Sequence, residues 1–180
     1  MTLPEPVGAG FFPKRTQRRP EWLHATIVEE VCSVSECISA GPKDWIENWL
    51  HNALGFYDSE SLAWQVVGPD RAGFHMYGLR IYPLQFDHGA MRPWVSPVQL
   101  DLDLAEFDLL GLDVVSRSVA DNFECSAMSC NNGADEFPVN RFCLIDDPAT
   151  AYEACAAVSE GEYEPGPYYL LQVYRRRHGA

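Results

Sequence analysis

The chain has 180 residues, a formal net charge of −13, 47% hydrophobic and 22% charged side chains. That supplies apolar material for one buried core and excludes a disordered chain, while thirteen glycines without a period exclude collagen. No run approaches the ~18 uninterrupted apolar residues of a membrane span. The first thirty residues carry Pro4, Pro6, Pro13 and Pro20 but no apolar stretch of the secretory type.

The charge is unevenly spread. Residues 1–20 hold Lys14, Arg15, Arg18 and Arg19 against Glu5, and residues 175–180 add Arg175, Arg176 and Arg177. Between them, residues 21–174 carry 6 basic and 25 acidic side chains, a net −19. This divides the chain into an irregular basic arm (1–20), a single α+β domain (21–174) and a basic tail (175–180). The anionic body repels phosphate backbones, which leaves nucleic acid only to the basic termini, and it attracts a partner protein with a basic surface. Six cysteines and no export signal are expected of reduced thiols in the cytoplasm.

In chain order, Phe11 and Phe12 pin the arm. Trp22, Leu23, Ile27, Val31, Val34 and Ile38 have helical spacing, with a β-branched strand over 23–28 as the alternative. Trp45, Ile46, Trp49, Leu50, Ala53 and Leu54 predict a second helix, closed by Gly55. Asp58 or Ser59 caps a third that carries Leu62, Trp64 and Val66. Period-two alternation over 73–86 predicts a strand, bent or at an edge because of Pro83, and Asp87-His88-Gly89 a turn. Leu104, Phe107, Leu109 and Leu110 suggest a short helix ended by Gly111, with strands to follow at 112–118 and 141–145. Asp146-Asp147-Pro148 starts a helix to about Val158, and Tyr168–Tyr174 forms the last strand. The expected fold is α+β: a small, mostly antiparallel sheet of about four strands packed with four or five helices. No internal repeat is apparent, although the spacing Cys125-x4-Cys130 recurs as Cys32-x4-Cys37.

Residues 119–140 show no sustained period, and structureless connections of that length in compact domains are often functional. The stretch and its flanks supply directional groups (Arg117, Ser126, Asn131, Asn132, Asn140 and Arg141) around apolar anchors (Phe123 and Met128), as on a recognition loop held by a rigid scaffold. Three thiols, Cys125, Cys130 and Cys143, are candidate zinc ligands, with His75, His88 or Cys155 as a fourth. A cysteine nucleophile needs a base, and the nearest histidines in sequence, His88 and His178, lie far from the loop. The acids Asp101, Asp103, Glu106 and Asp108 alternate with apolar residues like a solvated face, and Asp146 and Asp147 are explained by helix capping. No phosphate loop, dinucleotide fingerprint, nucleophile elbow or His-Glu-x-x-His is present. The sequence therefore reads as a non-enzymatic protein-binding subunit (accessory, regulatory or immunity-like) without a cofactor. The alternative is a zinc-binding or cysteine-dependent enzyme centred on Cys125, Cys130 and Cys143.

Overall fold

The computed structural model describes residues 3–15, 17–34, 50–117, 123–161 and 163–177. Its strands are β1 (Val7–Arg15), β2 (Gln17–Arg18), β3 (Glu30–Val31), β4 (Phe74–Ile81), β5 (Leu84–Asp87), β6 (Ala90–Pro93), β7 (Phe107–Arg117), β8 (Phe123–Ser126) and β9 (Tyr168–Arg176). Its helices are α1 (Glu60–Val67), α2 (Ala127–Cys130) and α3 (Pro148–Glu160), with a 3-10 turn at Gly133–Asp135.

Seven strands form one antiparallel sheet in which β9 is central. It pairs with β7 along one edge and with β4, then β5, along the other. β1 flanks β4, β8 flanks β7, and β6 extends β5, while β2 and β3 pair separately. The run Tyr168-Tyr169-Leu170-Leu171 is apolar throughout because both faces of β9 are covered. Tyr168 and Leu170 join Ala151, Ala154, Cys155 and Val158 of α3 on one face. Tyr169, Leu171 and Val173 pack with Phe56, Val98 and Leu144 on the other.

The sheet is larger, and the helices fewer, than the sequence suggested: seven strands and three helices among the described residues, in place of four strands and four or five helices. Residues 7–15, expected as an irregular arm, form a buried strand, because Gly10 sits in a bulge that lets a loop cross the main chain. The helix expected from Trp22 does not form. Its apolar residues do not share a face: Leu23, Val28 and Val31 are buried, whereas Trp22 is 53% and Ile27 60% exposed. The strand considered over 23–28 is turn and coil. Of the helix read around Trp45 and Trp49, residues 35–49 lie outside the described residues, and residues 50–55 are turns and bends. The short helix before Gly111 is the start of β7, with Gly111 as a bulge residue at φ +146° rather than a cap. Residues 141–145 make one bridge, Ile145 to Leu112, rather than a strand. The helices from Ser59 and Asp147 form as expected, each of these residues accepting from a first-turn amide, while the strand read over 73–86 forms as two, β4 and β5, interrupted at Tyr82-Pro83.

The structure also contains an internal pseudo-two-fold that sequence inspection missed. β1–β4 and β7–β9 are matching antiparallel pairs, each bulged at a glycine: Gly10 opposite Leu79, and Gly111 opposite Val173. Leu79 and Val173 face each other at the centre of the β4–β9 pairing. Exchanging the halves turns the observed pair Tyr77–Arg175 into Leu171–Ile81, which is also observed.

The loops repeat the symmetry. Asn52 donates to Ala9 O (2.9 Å) and Asp58 Oδ1 (3.0 Å) while its own Oδ1 accepts from the amides of Leu54 and Phe56. Asn140 donates to Leu110 O (2.7 Å) and Asp146 Oδ1 (2.6 Å) and accepts from Phe142 and Leu144. Each loop then crosses its glycine bulge, where a Cβ on Gly10 or Gly111 would meet Phe56 Cβ or Leu144 Cβ at 2.8 Å. Asn52→Ala and Asn140→Ala are each expected to cost about 2–3 kcal/mol through these lost hydrogen bonds. Urea unfolding would measure both; a large effect in only one variant would show that the two loops are not equivalent supports.

Candidate functional site

Where β1 and β7 run past the second core face, the fold encloses a polar network. Lys14 is 0% exposed and its Nζ donates to the carbonyls of Val31 (3.2 Å) and Ser33 (2.5 Å). Asp113, also 0% exposed, accepts from Ser126 Oγ (2.6 Å) and the Val34 amide (2.9 Å). Ser33 and Ser129 share a hydroxyl–hydroxyl hydrogen bond of 2.8 Å. Burial pulls the Lys14 ammonium down to about 8, against the nearby Cys32, Asp113 and Glu30 groups that favour its charge. Burial likewise raises the Asp113 carboxyl, opposed by its bonds from Ser126 and Val34.

Three cysteines adjoin this network. Tyr77 donates to Cys32 Sγ at 3.6 Å. Burial first, and the Asp113 carboxyl second, push the Cys143 thiol up to about 12. Cys143 holds a left-handed backbone (φ +60°) at the place where the other half of the pseudo-two-fold has Gly55 (φ +79°). Cys130, half-buried at the end of α2, faces outward as well, into a pocket of about 550 Å³ shared with Asn131, Asn132, Glu136 and Tyr163. The Asn131 Nδ2 and the Tyr163 hydroxyl are buried there without a hydrogen bond of normal length. Burial, followed by the adjacent Glu136 carboxylate, holds the Tyr163 phenol up at about 12.

Of the recognition residues expected from sequence, only Asn131 and Asn132 meet at this pocket. Phe123 is buried and stacked on Phe56, with ring centroids 5.5 Å apart. Ser126 and Met128 are fully buried. These three cannot serve as outward contacts, because β8 and α2 turn the expected loop into part of the core. Arg117 donates to Ala53 O (3.0 Å), and Asn140 braces its loop. Arg141 is exposed, 3.6 Å from Glu29, with its guanidinium over the Phe142 ring. Cys125 is buried, and no disulfide joins Cys125, Cys130 or Cys143. Among the described residues no three His, Cys, Asp or Glu side chains converge as a metal-ligating group. His88 is exposed on a turn, and Cys155 lies on the buried face of α3.

Lys14, Asp113, Ser33, Glu136 and Tyr163 were not singled out by sequence reasoning. For one of them a signal exists: Asp113 interrupts Leu112-Val114-Val115, a lone charge in an apolar run, whereas Lys14 opens a basic stretch with Arg15 and gives no such sign. No protein-family model matches the chain, and neither the curated proteins nor the solved structures yield a match.

The Lys14 shift has a measurable sign. Between about pH 8 and its ordinary value of 10.5, the folded chain holds Lys14 neutral while the unfolded chain holds it charged. The unfolded state then binds more protons, so this residue makes stability rise with pH across that window. Comparing wild type with Lys14→Met by denaturant unfolding from pH 7.5 to 10.5 isolates the effect. The stability difference should move in favour of wild type by on the order of 2–3 kcal/mol. A difference that stays flat would mean that Lys14 titrates near its ordinary value.

Proposed function

We propose that the protein is a non-enzymatic protein-recognition subunit whose contact site is the pocket of Asn131, Asn132, Glu136 and Tyr163. The observation that carries this reading is Asn131 Nδ2, buried without a hydrogen-bond partner beside the Tyr163 hydroxyl and the Glu136 carboxylate at one polar concavity. Such a group costs about 1–3 kcal/mol when left unpaired, a cost that a bound partner relieves. An arginine presented by a partner fits this arrangement. Its guanidinium donates to the Glu136 carboxylate and the Tyr163 oxygen, and its main-chain carbonyl accepts from Asn131.

The charge distribution supports the same partner. A body of net −19 over residues 21–174 accelerates encounter with a basic surface. No disulfide joins the five cysteines described, which fits action in the reducing cytoplasm. No helix among the described residues is long and apolar enough to cross a membrane.

Affinity capture from the native host, run at low and high salt, tests the proposal. A stoichiometric basic protein should be retained at low salt, with retention reduced about tenfold or more by Glu136→Gln and by Asn131→Ala. Glu136→Gln should keep the wild-type stability within ~0.5 kcal/mol because Glu136 is exposed, and Asn131→Ala, which removes a buried unpaired amide, should be no less stable than wild type. Capture that is unaffected by both substitutions would remove this pocket from the contact.

A further inference from the structure

With 26 acidic against 13 basic side chains, a cation in this chain has acids enough to pair with. Arg175 pairs with Glu30, Arg176 with Glu60 and Glu106, Arg177 with Asp108 and Arg141 with Glu29. Arg80 of β4 is different. It is half-buried, and among the described residues no hydrogen bond or ion pair engages its guanidinium. Gln172, its neighbour across the β4–β9 pairing, is already committed: its nitrogen donates to the Tyr82 hydroxyl (3.1 Å) and its oxygen accepts from Tyr174 (2.9 Å). A guanidinium drawn partly out of water without a partner is in the costly arrangement for an ion.

Arg80 lines a pocket of about 320 Å³, at the small end of ligand sites. The fold builds it at Gly8, which stands opposite Arg80 in the β1–β4 pairing. A Cβ on Gly8 would collide with Leu100 O, so its absence lets an extended segment close on the β1 edge, where the Leu100 amide donates to Gly8 O (2.9 Å). That segment brings Gln99, Leu100, Asp101 and Leu102 to the pocket wall, and β1 brings Val7. Asp101 is exposed and, like Arg80, has no side-chain partner among the described residues. Two opposite charges thus line one small pocket without pairing with each other.

We infer that this pocket binds a free aliphatic α-amino acid, with its carboxylate on Arg80 and its ammonium on Asp101. A guanidinium fork suits a carboxylate, and an ammonium requires an acceptor. Asp101 and the net charge of −13 oppose a phosphate or other polyanion. Val7, Leu100 and Leu102 offer apolar surface to an aliphatic side chain.

The probe is L-leucine, titrated into the whole isotopically labelled chain and followed by amide NMR shifts. Shifts at Gly8, Arg80 and Asp101 that saturate within about 10 mM ligand are expected. Arg80→Gln and Asp101→Asn should each weaken binding about tenfold or more, the second at an exposed position that leaves β4 untouched. Isocaproate, which lacks the ammonium, and isoamylamine, which lacks the carboxylate, should lose a similar factor. No saturable shift overturns the inference. So does isocaproate binding as well as leucine, which would mean a simple carboxylate receptor, or leucine binding that ignores Asp101→Asn. Because Asn131, Glu136 and Tyr163 take no part, the outcome is independent of the pocket proposed above for a partner protein.

Discussion

The fold depends on two asparagines. Asn52 and Asn140 each take four hydrogen bonds at the point where a loop crosses a glycine bulge, and each ties that loop to the aspartate that precedes a helix cap. A loop carried inward over a sheet buries main-chain groups, and these must be paired. One side-chain amide meets the need, with its oxygen collecting two amides and its nitrogen reaching the strand carbonyl. The bulge, the loop and the start of the following helix are thereby set together. The same constraint is met twice, once on each side of the Leu79–Val173 pairing, and the helices α1 and α3 begin from equivalent positions as a result.

What was legible in the sequence follows from the range of the forces involved. The caps at Ser59 and Asp147, the strand alternation after Phe74 and the apolar run of β9 rest on residues near in sequence, and they could be read. The glycine bulges could not. Gly111 after Leu109 and Leu110 has the local appearance of a helix end, and only the loop from Asn140 crossing above it explains a strand. The apparent helical face from Trp22 fails, over the described residues to Val34, for a related reason: spacing counts apolar residues, but Trp22 and Ile27 find no apolar layer to enter. The repeat stayed hidden because its matching positions are few. Asn52 to Asp58 and Asn140 to Asp146 share spacing but little else, and the halves carry different side chains on common main-chain geometry.

The candidate site was half legible. A long segment rich in Ser, Asn and Cys did prove to be where polar chemistry collects, but much of it points inward. Ser126 and Ser129 serve the buried Asp113 and Ser33, so their hydroxyls substitute for water inside the core rather than for a partner at the surface. The buried Lys14 and Asp113 are better understood as parts of one satisfied network than as separate ions. Removing Lys14 leaves the Val31 and Ser33 carbonyls buried and unpaired, and removing Asp113 does the same to the Ser126 hydroxyl and the Val34 amide, which is the costly arrangement.

The two halves also show how a symmetric scaffold acquires unlike surfaces. At the left-handed loop position, one half uses Gly55, which adopts that backbone freely, and the other uses Cys143, which does not. A strained cysteine persists only if its surroundings hold it, and here the thiol is enclosed beside Asp113 and packed in the core under α3. At the outer edge the difference runs the other way. The first half closes its β1 edge with its own segment at Leu100, while the second leaves Leu109 open between apolar and arginine side chains. An uncovered edge is a liability unless it is short or charged. This one is both: it spans a few residues, and it carries the ion pairs of Arg177 with Asp108 and of Arg176 with Glu60 and Glu106, charges that oppose indiscriminate strand pairing.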